Sequence, residues 1–159
     1  MNMPIKKEES HYRPNVGIML INQDNKVFVG NRIDQPNSWQ MPQGGIDEGE
    51  KIETAAIREM EEEVGTDKAE IIGIMPDWQY YDFPENLGKR LWEGQYRGQR
   101  QKWVALRFTG NDQDINLDAF HEPEFSEWKW VDLDVLVEMV VPFKRDVYQL
   151  AVDYFKEHV

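Results

Sequence analysis

The sequence predicts a single α+β domain. Its apolar residues gather in short β-branched and aromatic runs that do not alternate regularly with helical segments, which disfavours a doubly wound parallel sheet. One stretch, Lys51 to Val64, contains no Gly or Pro and repeats an apolar residue every four positions. The 159 residues show no internal repeat or long linker, and a chain of that size can bury ~70% of its unfolded surface in one core.

Residues 1 to 11 are polar and aperiodic and read as a flexible arm ahead of a domain spanning 12 to 159. Tyr12-Arg13-Pro14-Asn15 leads into Val16-Gly17-Ile18-Met19-Leu20-Ile21, a buried strand. Asn22-Gln23-Asp24-Asn25 has turn chemistry, so Lys26 to Val29 returns as the second arm of a hairpin. Asp34 to Ser38 breaks the pattern. Trp39 to Gln43 is extended, because a residue before proline is pushed out of the α region, and Gly44-Gly45 is expected as a tight turn. Ile52, Ala56, Met60 and Val64 mark the buried face of the helix, with Gly65 as its stop. Further strands are expected at Ile71 to Met75, Lys102 to Phe108 and Trp128 to Val131, with a long polar loop over 82 to 100. Asp132 and Asp134 offer caps for a short helix ending before Pro142. Phe143 to Phe155 supports a terminal helix with Val147, Leu150, Ala151 and Tyr154 on one side.

Composition excludes several classes. A 40% hydrophobic and 12% aromatic content excludes wholesale disorder, and no apolar run approaches the ~18 residues of a membrane span. A formal charge of −12 argues against a general nucleic-acid coat while leaving room for a local anion site. The absence of cysteine excludes disulfides and thiolate chemistry. The first residues, Met1-Asn2-Met3-Pro4-Ile5-Lys6-Lys7-Glu8, lack the apolar core of a secretory signal, so a cytoplasmic protein is expected.

Chemistry concentrates on the acidic helix. Residues 47 to 63 hold eight acids against two bases, half of the chain's net charge. At about 100° per residue, Glu59, Glu62 and Glu63 share one arc bordering the apolar face, whereas Glu61 points nearly opposite. Like charges at these spacings destabilise a helix by roughly 0.2–0.5 kcal/mol per pair, and acids near a helix C-terminus also oppose its dipole. A hard divalent cation such as Mg²⁺ would offset that repulsion, since it takes oxygen ligands and bridges to phosphates. A solvated run of surface glutamates is the plainer reading of spacing alone.

Gly44, Glu50 and Arg58-Glu59-Met60-Glu61-Glu62-Glu63-Val64-Gly65 stand at the spacings of the Nudix signature, and the chain resembles the Nudix hydrolases at all fixed polar and glycine positions. Thr66 departs from the aliphatic residue usual there. The resemblance implies the Nudix fold, a mixed β-sheet sandwiched between helices (α/β/α). It implies Glu59, Glu62 and Glu63 as ligands of Mg²⁺ or Mn²⁺, and Arg58 paired with Glu50 to hold the loop that carries Gly44 against the helix. It also implies a carboxylate that takes a proton from the attacking water, here Glu63 ahead of Glu62.

Tyr12 to Gly17, Ser38 to Gly45, Gln99 to Trp103, Pro123-Glu124-Phe125 with Trp128-Lys129-Trp130, and Phe143 to Tyr148 are similar to the bacterial RNA 5′-pyrophosphohydrolases and related dinucleoside polyphosphate hydrolases. That likeness implies Glu124 as a fourth acid of the metal site. Arg13, Arg32, Ser38, Gln43, Gln99, Lys102 and Lys144 are the expected anion or substrate contacts. Phe143 is the expected stacking residue, with Tyr80 and Tyr81 as further aromatic candidates, and Pro142 replaces a serine common in the group. From Lys89 to Lys102 five bases face one acid, Glu93, interleaved with Trp92, Tyr96 and Trp103, a basic island able to steer phosphates. The expected activity is removal of pyrophosphate from the 5′-triphosphate end of RNA. The alternatives are asymmetric hydrolysis of dinucleoside polyphosphates and, remotely, a catalytically silent nucleotide-binding module. Triphosphorylated RNA or dinucleoside polyphosphates are the expected partners, not DNA or a membrane.

Overall fold

The structure, a computed structural model, describes residues 11–84, 96–120 and 122–158. Among the described residues eight strands and three helices follow one another: β1 (Tyr12–Ile21), β2 (Val27–Arg32), β3 (Trp39–Gln40), β4 (Gln43–Gly45), α1 (Ile52–Val64), β5 (Ala69–Ile74), β6 (Gln79–Asp82), β7 (Gly98–Phe108), β8 (Phe125–Val131), α2 (Leu133–Met139) and α3 (Arg145–His158). Short 3₁₀ turns occupy Asp112–Asp114 and Pro142–Lys144.

The central strands run in the order β3-β2-β1-β7-β5, with β4 added to β1, β6 to β7 and β8 to β2. The β1–β7 pair is parallel, from Tyr12 opposite Gly98 to Ile21 opposite Arg107, and the other pairs are antiparallel. Period-two alternation sends successive side chains to opposite faces. Val16, Ile18, Leu20, Val104 and Leu106 therefore pack under α1 with Ala56, Met60 and Val64. Met19, Ile21, Trp103 and Ala105 pack with Leu136 of α2 and with Tyr148, Ala151 and Phe155 of α3. Two cores on one mixed sheet give the expected α/β/α layering. Among the described residues no helix is long and apolar enough to cross a membrane.

Helix α1 runs as expected and stops at Gly65, whose φ of 88° is the left-handed conformation that glycine adopts without strain. Four expectations need correction. Gly44 and Gly45 are not a turn but part of β4, paired with Val16 and Asn15. The segment 82–100 is not all loop, because β6 ends at Asp82 and β7 begins at Gly98. In α3 the buried side is Val147, Tyr148, Ala151, Val152 and Phe155, while Leu150 is 48% exposed. His11, counted in the arm, is tied by its carbonyl, which accepts at 2.8 Å from the N–H of Arg97, the residue ahead of β7. The rest of the arm, and Lys89, Arg90, Trp92 and Glu93 of the basic island, lie outside the described residues.

Candidate active site

Arg58 organises the approach to the last two turns of α1. Its Nε and Nη2 donate to the two carboxylate oxygens of Glu50, each at 2.8 Å, a bidentate pair. Nη2 also donates to the Gly45 carbonyl at 2.9 Å, and Nη1 to Glu59 Oε1 at 2.8 Å. Glu50 in turn accepts from the Asp47 N–H at 3.0 Å. One guanidinium thus fastens β4 and the following loop to the helix. Arg58 holds the Glu50 carboxyl down at about 2, and Glu50 in return raises the Arg58 guanidinium beyond its already high ordinary value.

Farther along the helix the balance reverses. Burial pushes Glu59 up to about 7, outweighing the Arg58 contact that opposes it. Glu63 is 6% exposed and is raised well above the carboxylate range, first by burial and then by the charges of Glu59 and Glu124. Its Oε2 accepts from the Gln43 N–H at 2.9 Å, which leaves most of that charge uncompensated. The Glu62 carboxylate is 45% exposed and stands 3.6 Å from Arg58 Nη1. Any side chain at position 44 would overlap the Glu59 carboxyl, so glycine there is what lets β4 lie against the acids.

These side chains meet in a cleft of 390 Å³. Glu59, Glu62, Glu63 and Glu124 form one wall, while Arg13, Arg32, Gln43 and Gln99 line it from the sheet. The Glu124 backbone carbonyl accepts from the Ile33 N–H at 3.1 Å, which brings the loop before β8 to the cleft mouth. A larger groove of 560 Å³ runs along the outer side of α1 past Ile57, Ile71 and Phe120, but Glu63, Glu124 and the sheet cations are not part of it.

Ser38, Lys102, Phe143 and Lys144 are not among the residues lining the cleft. Ser38 is buried and its backbone bonds to Arg32 and Gln35. Lys102 points to the face of β7 opposite Gln99 and Gln101, where it donates to the Pro76 carbonyl and lies over the Trp78 ring. Phe143 packs on Tyr81 with ring centroids 5.7 Å apart. Lys144 is 4% exposed, its amine lowered to about 8 chiefly by burial, and it donates to Gln40 Oε1 at 3.2 Å.

Sequence reasoning named Gln43 and Gln99 but missed Asn15, Gln40 and Gln101, which complete the polar floor of the cleft. Gln101 Nε2 donates to Asn15 Oδ1 at 2.9 Å and to Gln43 Oε1 at 2.8 Å, and the Tyr81 hydroxyl donates to Gln99 Oε1. Asn15, Gln40, Gln99 and Gln101 are all buried polar residues on strands, and such residues require partners. The available signal was a run of amides, Gln99 and Gln101 alternating along β7 with Arg100 and Lys102, ahead of the apolar stretch Trp103 to Leu106.

As placed, no three of the described His, Asp or Glu side chains form a ready metal cage, since Glu59 is turned to Arg58 and Glu63 to the Gln43 amide. The donor set nonetheless suits a hard cation: oxygen ligands only, with Glu63 buried and Glu59 half-buried, both of raised proton affinity even though Arg58 already meets Glu59. Glu59, Glu62, Glu63 and Glu124 are the residues that could hold one.

The NUDIX domain model matches residues 11–151. An RNA pyrophosphohydrolase of Rhodospirillum rubrum is 58% identical over 149 residues, covering 94% of this chain and 90% of that protein. An RNA pyrophosphohydrolase of Rickettsia bellii is 49% identical over 158 residues, 98% of each chain. Among solved structures, the E. coli dihydroneopterin triphosphate pyrophosphohydrolase shares the fold with a TM-score of 0.68 at 22% identity, over 90% of this chain and 98% of its own. A C. elegans Ap4A hydrolase does so with a TM-score of 0.61 at 16% identity, over 90% and 98%. On these matches, and on the signature carried by β4 and α1, the chain belongs to the Nudix family of hydrolases, enzymes that generally work with divalent cations.

Proposed function

We propose that this chain is a cytoplasmic, Mg²⁺- or Mn²⁺-dependent RNA pyrophosphohydrolase, which removes pyrophosphate from the 5′-triphosphate end of RNA and opens the transcript to decay. The observation that carries this reading is the two-sided cleft: four carboxylates on one side, and on the other arginines and carboxamides able to meet phosphate oxygens. The relatives named RNA pyrophosphohydrolase, similar over more than 90% of this chain, support the choice of substrate.

In this mechanism Glu59, Glu62, Glu63 and Glu124 hold the divalent cation. When bound, it supplies neutralisation of phosphate charge and a more acidic water. Arg13 and Arg32 hold phosphate oxygens, with Asp34 fixing the Arg32 guanidinium through contacts of 2.9 and 2.5 Å. Arg58 and Glu50 fasten β4, which carries Gly44, and the loop after it to the helix. Glu63 receives the proton of the attacking water, with Glu62 as the alternative acceptor. The water oxygen bonds to phosphorus, the bridging P–O bond between the first and second phosphates breaks, and pyrophosphate departs from a 5′-monophosphate end.

A dinucleoside polyphosphate presents the same string of phosphates, so the cleft also supports asymmetric hydrolysis of diadenosine tetraphosphate. The purified protein, incubated with Mg²⁺ or Mn²⁺ and either substrate, is expected to release pyrophosphate from triphosphorylated RNA faster than it cleaves diadenosine tetraphosphate. The reverse ranking overturns the RNA reading, and inactivity on both leaves the silent module.

A further inference from the structure

We infer that Asn15 and Gln40, together with Gln99, form an uncharged wall of hydrogen-bond donors that receives the phosphate oxygens of the substrate, and that Gln101 and Lys144 are the positioning residues that give this wall its polarity. The inference deepens the reading of the cleft as a polyphosphate site and rests on it.

A carboxamide carries an acceptor and two donors, so its contribution to a binding site depends on which end is occupied internally. In each of these three side chains the carbonyl oxygen is taken: Asn15 Oδ1 by Gln101 Nε2, Gln40 Oε1 by Lys144 Nζ, and Gln99 Oε1 by the Tyr81 hydroxyl. The Lys144 ammonium can only donate, which fixes the Gln40 amide one way round. Gln101 spends both of its amide hydrogens, one on Asn15 and one on Gln43. None of the nitrogens Asn15 Nδ2, Gln40 Nε2 and Gln99 Nε2 bonds to a described residue, and none is among the sealed, partnerless atoms of the fold. All three residues line the 390 Å³ cleft, so those N–H₂ groups are what they offer to its contents.

Donors without formal charge suit this position. A further arginine so near Glu59 and Glu63 would pair with the carboxylates that a cation needs, as Arg58 already does with Glu59. Neutral amides bind anionic oxygens without competing for that wall. They are also almost wholly buried, at 1%, 6% and 4% exposed for Asn15, Gln40 and Gln99, so the donors are fixed before a ligand arrives.

The isosteric variants Asn15→Asp and Gln40→Glu separate the two ends of each amide. The new carboxylate still accepts from Gln101 or Lys144, preserving the internal bond, but presents an oxygen to the cleft in place of N–H₂. Asn15→Leu and Gln40→Met remove the donor without adding charge. Binding of methylenediphosphonate, a diphosphate that resists hydrolysis, is measured by calorimetry on the Mg²⁺-loaded protein. Both acidic variants are expected to raise Kd by about 10-fold or more and both neutral variants by about 3-fold or more, with Mn²⁺ affinity held within about 2-fold for the neutral pair. Gln101→Met is expected to raise Kd by about 3-fold in the parent but to add nothing in the Asn15→Leu background, a coupling that a merely structural role would not give. Neutral variants that bind like the parent, or a parent that does not bind the diphosphonate, overturn the inference. A parent that binds it and leaves triphosphorylated RNA intact overturns only the RNA reading.

Discussion

Glu50 and Glu63 answer to the same helix and differ in every electrostatic respect. Glu50, on the loop before α1, meets a bidentate guanidinium and a backbone N–H, and its proton affinity falls far below the carboxylate norm. Glu63, on the last turn, meets one backbone N–H and three neighbouring carboxylate charges, and its proton affinity rises. The first charge is matched by the protein; the second awaits something from outside. A matched pair holds a loop in place, whereas an unmatched buried carboxylate destabilises the fold unless a proton or a metal ion arrives. The signature encodes both devices within fourteen residues, from Glu50 to Glu63.

The contrast breaks most visibly when the outside charge is withheld. Chelation is expected to abolish turnover while the protein still melts in one cooperative transition, because neither core includes the acids' cation site. Mg²⁺ at about 100 times its Kd should raise stability by about 2.7 kcal/mol. Loss of cooperative melting on chelation would mean that the metal is part of the fold. The next effect in size is Glu63→Gln, which keeps shape and removes the unmatched charge. Turnover should fall by ~10² or more while the metal-free melting temperature stays level or rises. An unchanged rate removes Glu63 from the mechanism.

Arg58→Met attacks the matched side. Breaking a fully buried ion pair costs roughly 3–5 kcal/mol, and Arg58, with a side chain 30% exposed, should lose on the order of 2 kcal/mol by the same mechanism. The signature of that loss is its pH range. A depressed carboxylate adds stability that is present above its unfolded value near 4.5 and vanishes as pH falls toward about 2. Denaturant titrations should therefore show the parent losing stability across that window and the variant losing much less; parallel curves would mean that Glu50 is not held by Arg58.

How much of this was legible in the sequence follows from the range of each interaction. The stripe of Glu59, Glu62 and Glu63 and the stop at Gly65 are consequences of helical periodicity, and both were readable. Lys102 was misplaced because a basic residue in a matching segment does not reveal which face of its strand it occupies. Leu150 was misjudged because Tyr148, Ala151, Val152 and Phe155 supply a competing buried stripe one step around the helix. Asn15, Gln40 and Gln101 escape a sequence reading that names Gln43 and Gln99, because the bonds of the amide floor join positions as far apart as Asn15 and Gln101, or Gln40 and Lys144, which no local pattern links. Gly44 was read as a turn because glycine marks flexibility as readily as close approach, and only the position of the Glu59 carboxyl distinguishes the two.

The smallest expected effect sharpens the comparison at Glu59, which lies between the two cases: Arg58 meets it, yet burial outweighs that contact. Glu59 has its folded value raised to about 7, so the metal-free folded state binds the proton more tightly than the unfolded chain does. The sign is opposite to that of Glu50: stability should increase as pH falls from about 7 toward the unfolded value near 4.5, and decline again as pH rises through 7. Mg²⁺ competes with the proton for the same oxygens, so its addition should flatten or invert that slope. Glu59→Gln should remove the slope's Glu59 component in the metal-free protein and leave the Glu50-dependent acid limb in place. Chemical denaturation at several pH values, with and without Mg²⁺, reads all three curves. A metal-free parent that grows steadily less stable from pH 7 to 5 would show that the Arg58 contact outweighs burial at Glu59, and the division of the helix into a satisfied and an unsatisfied half would fail.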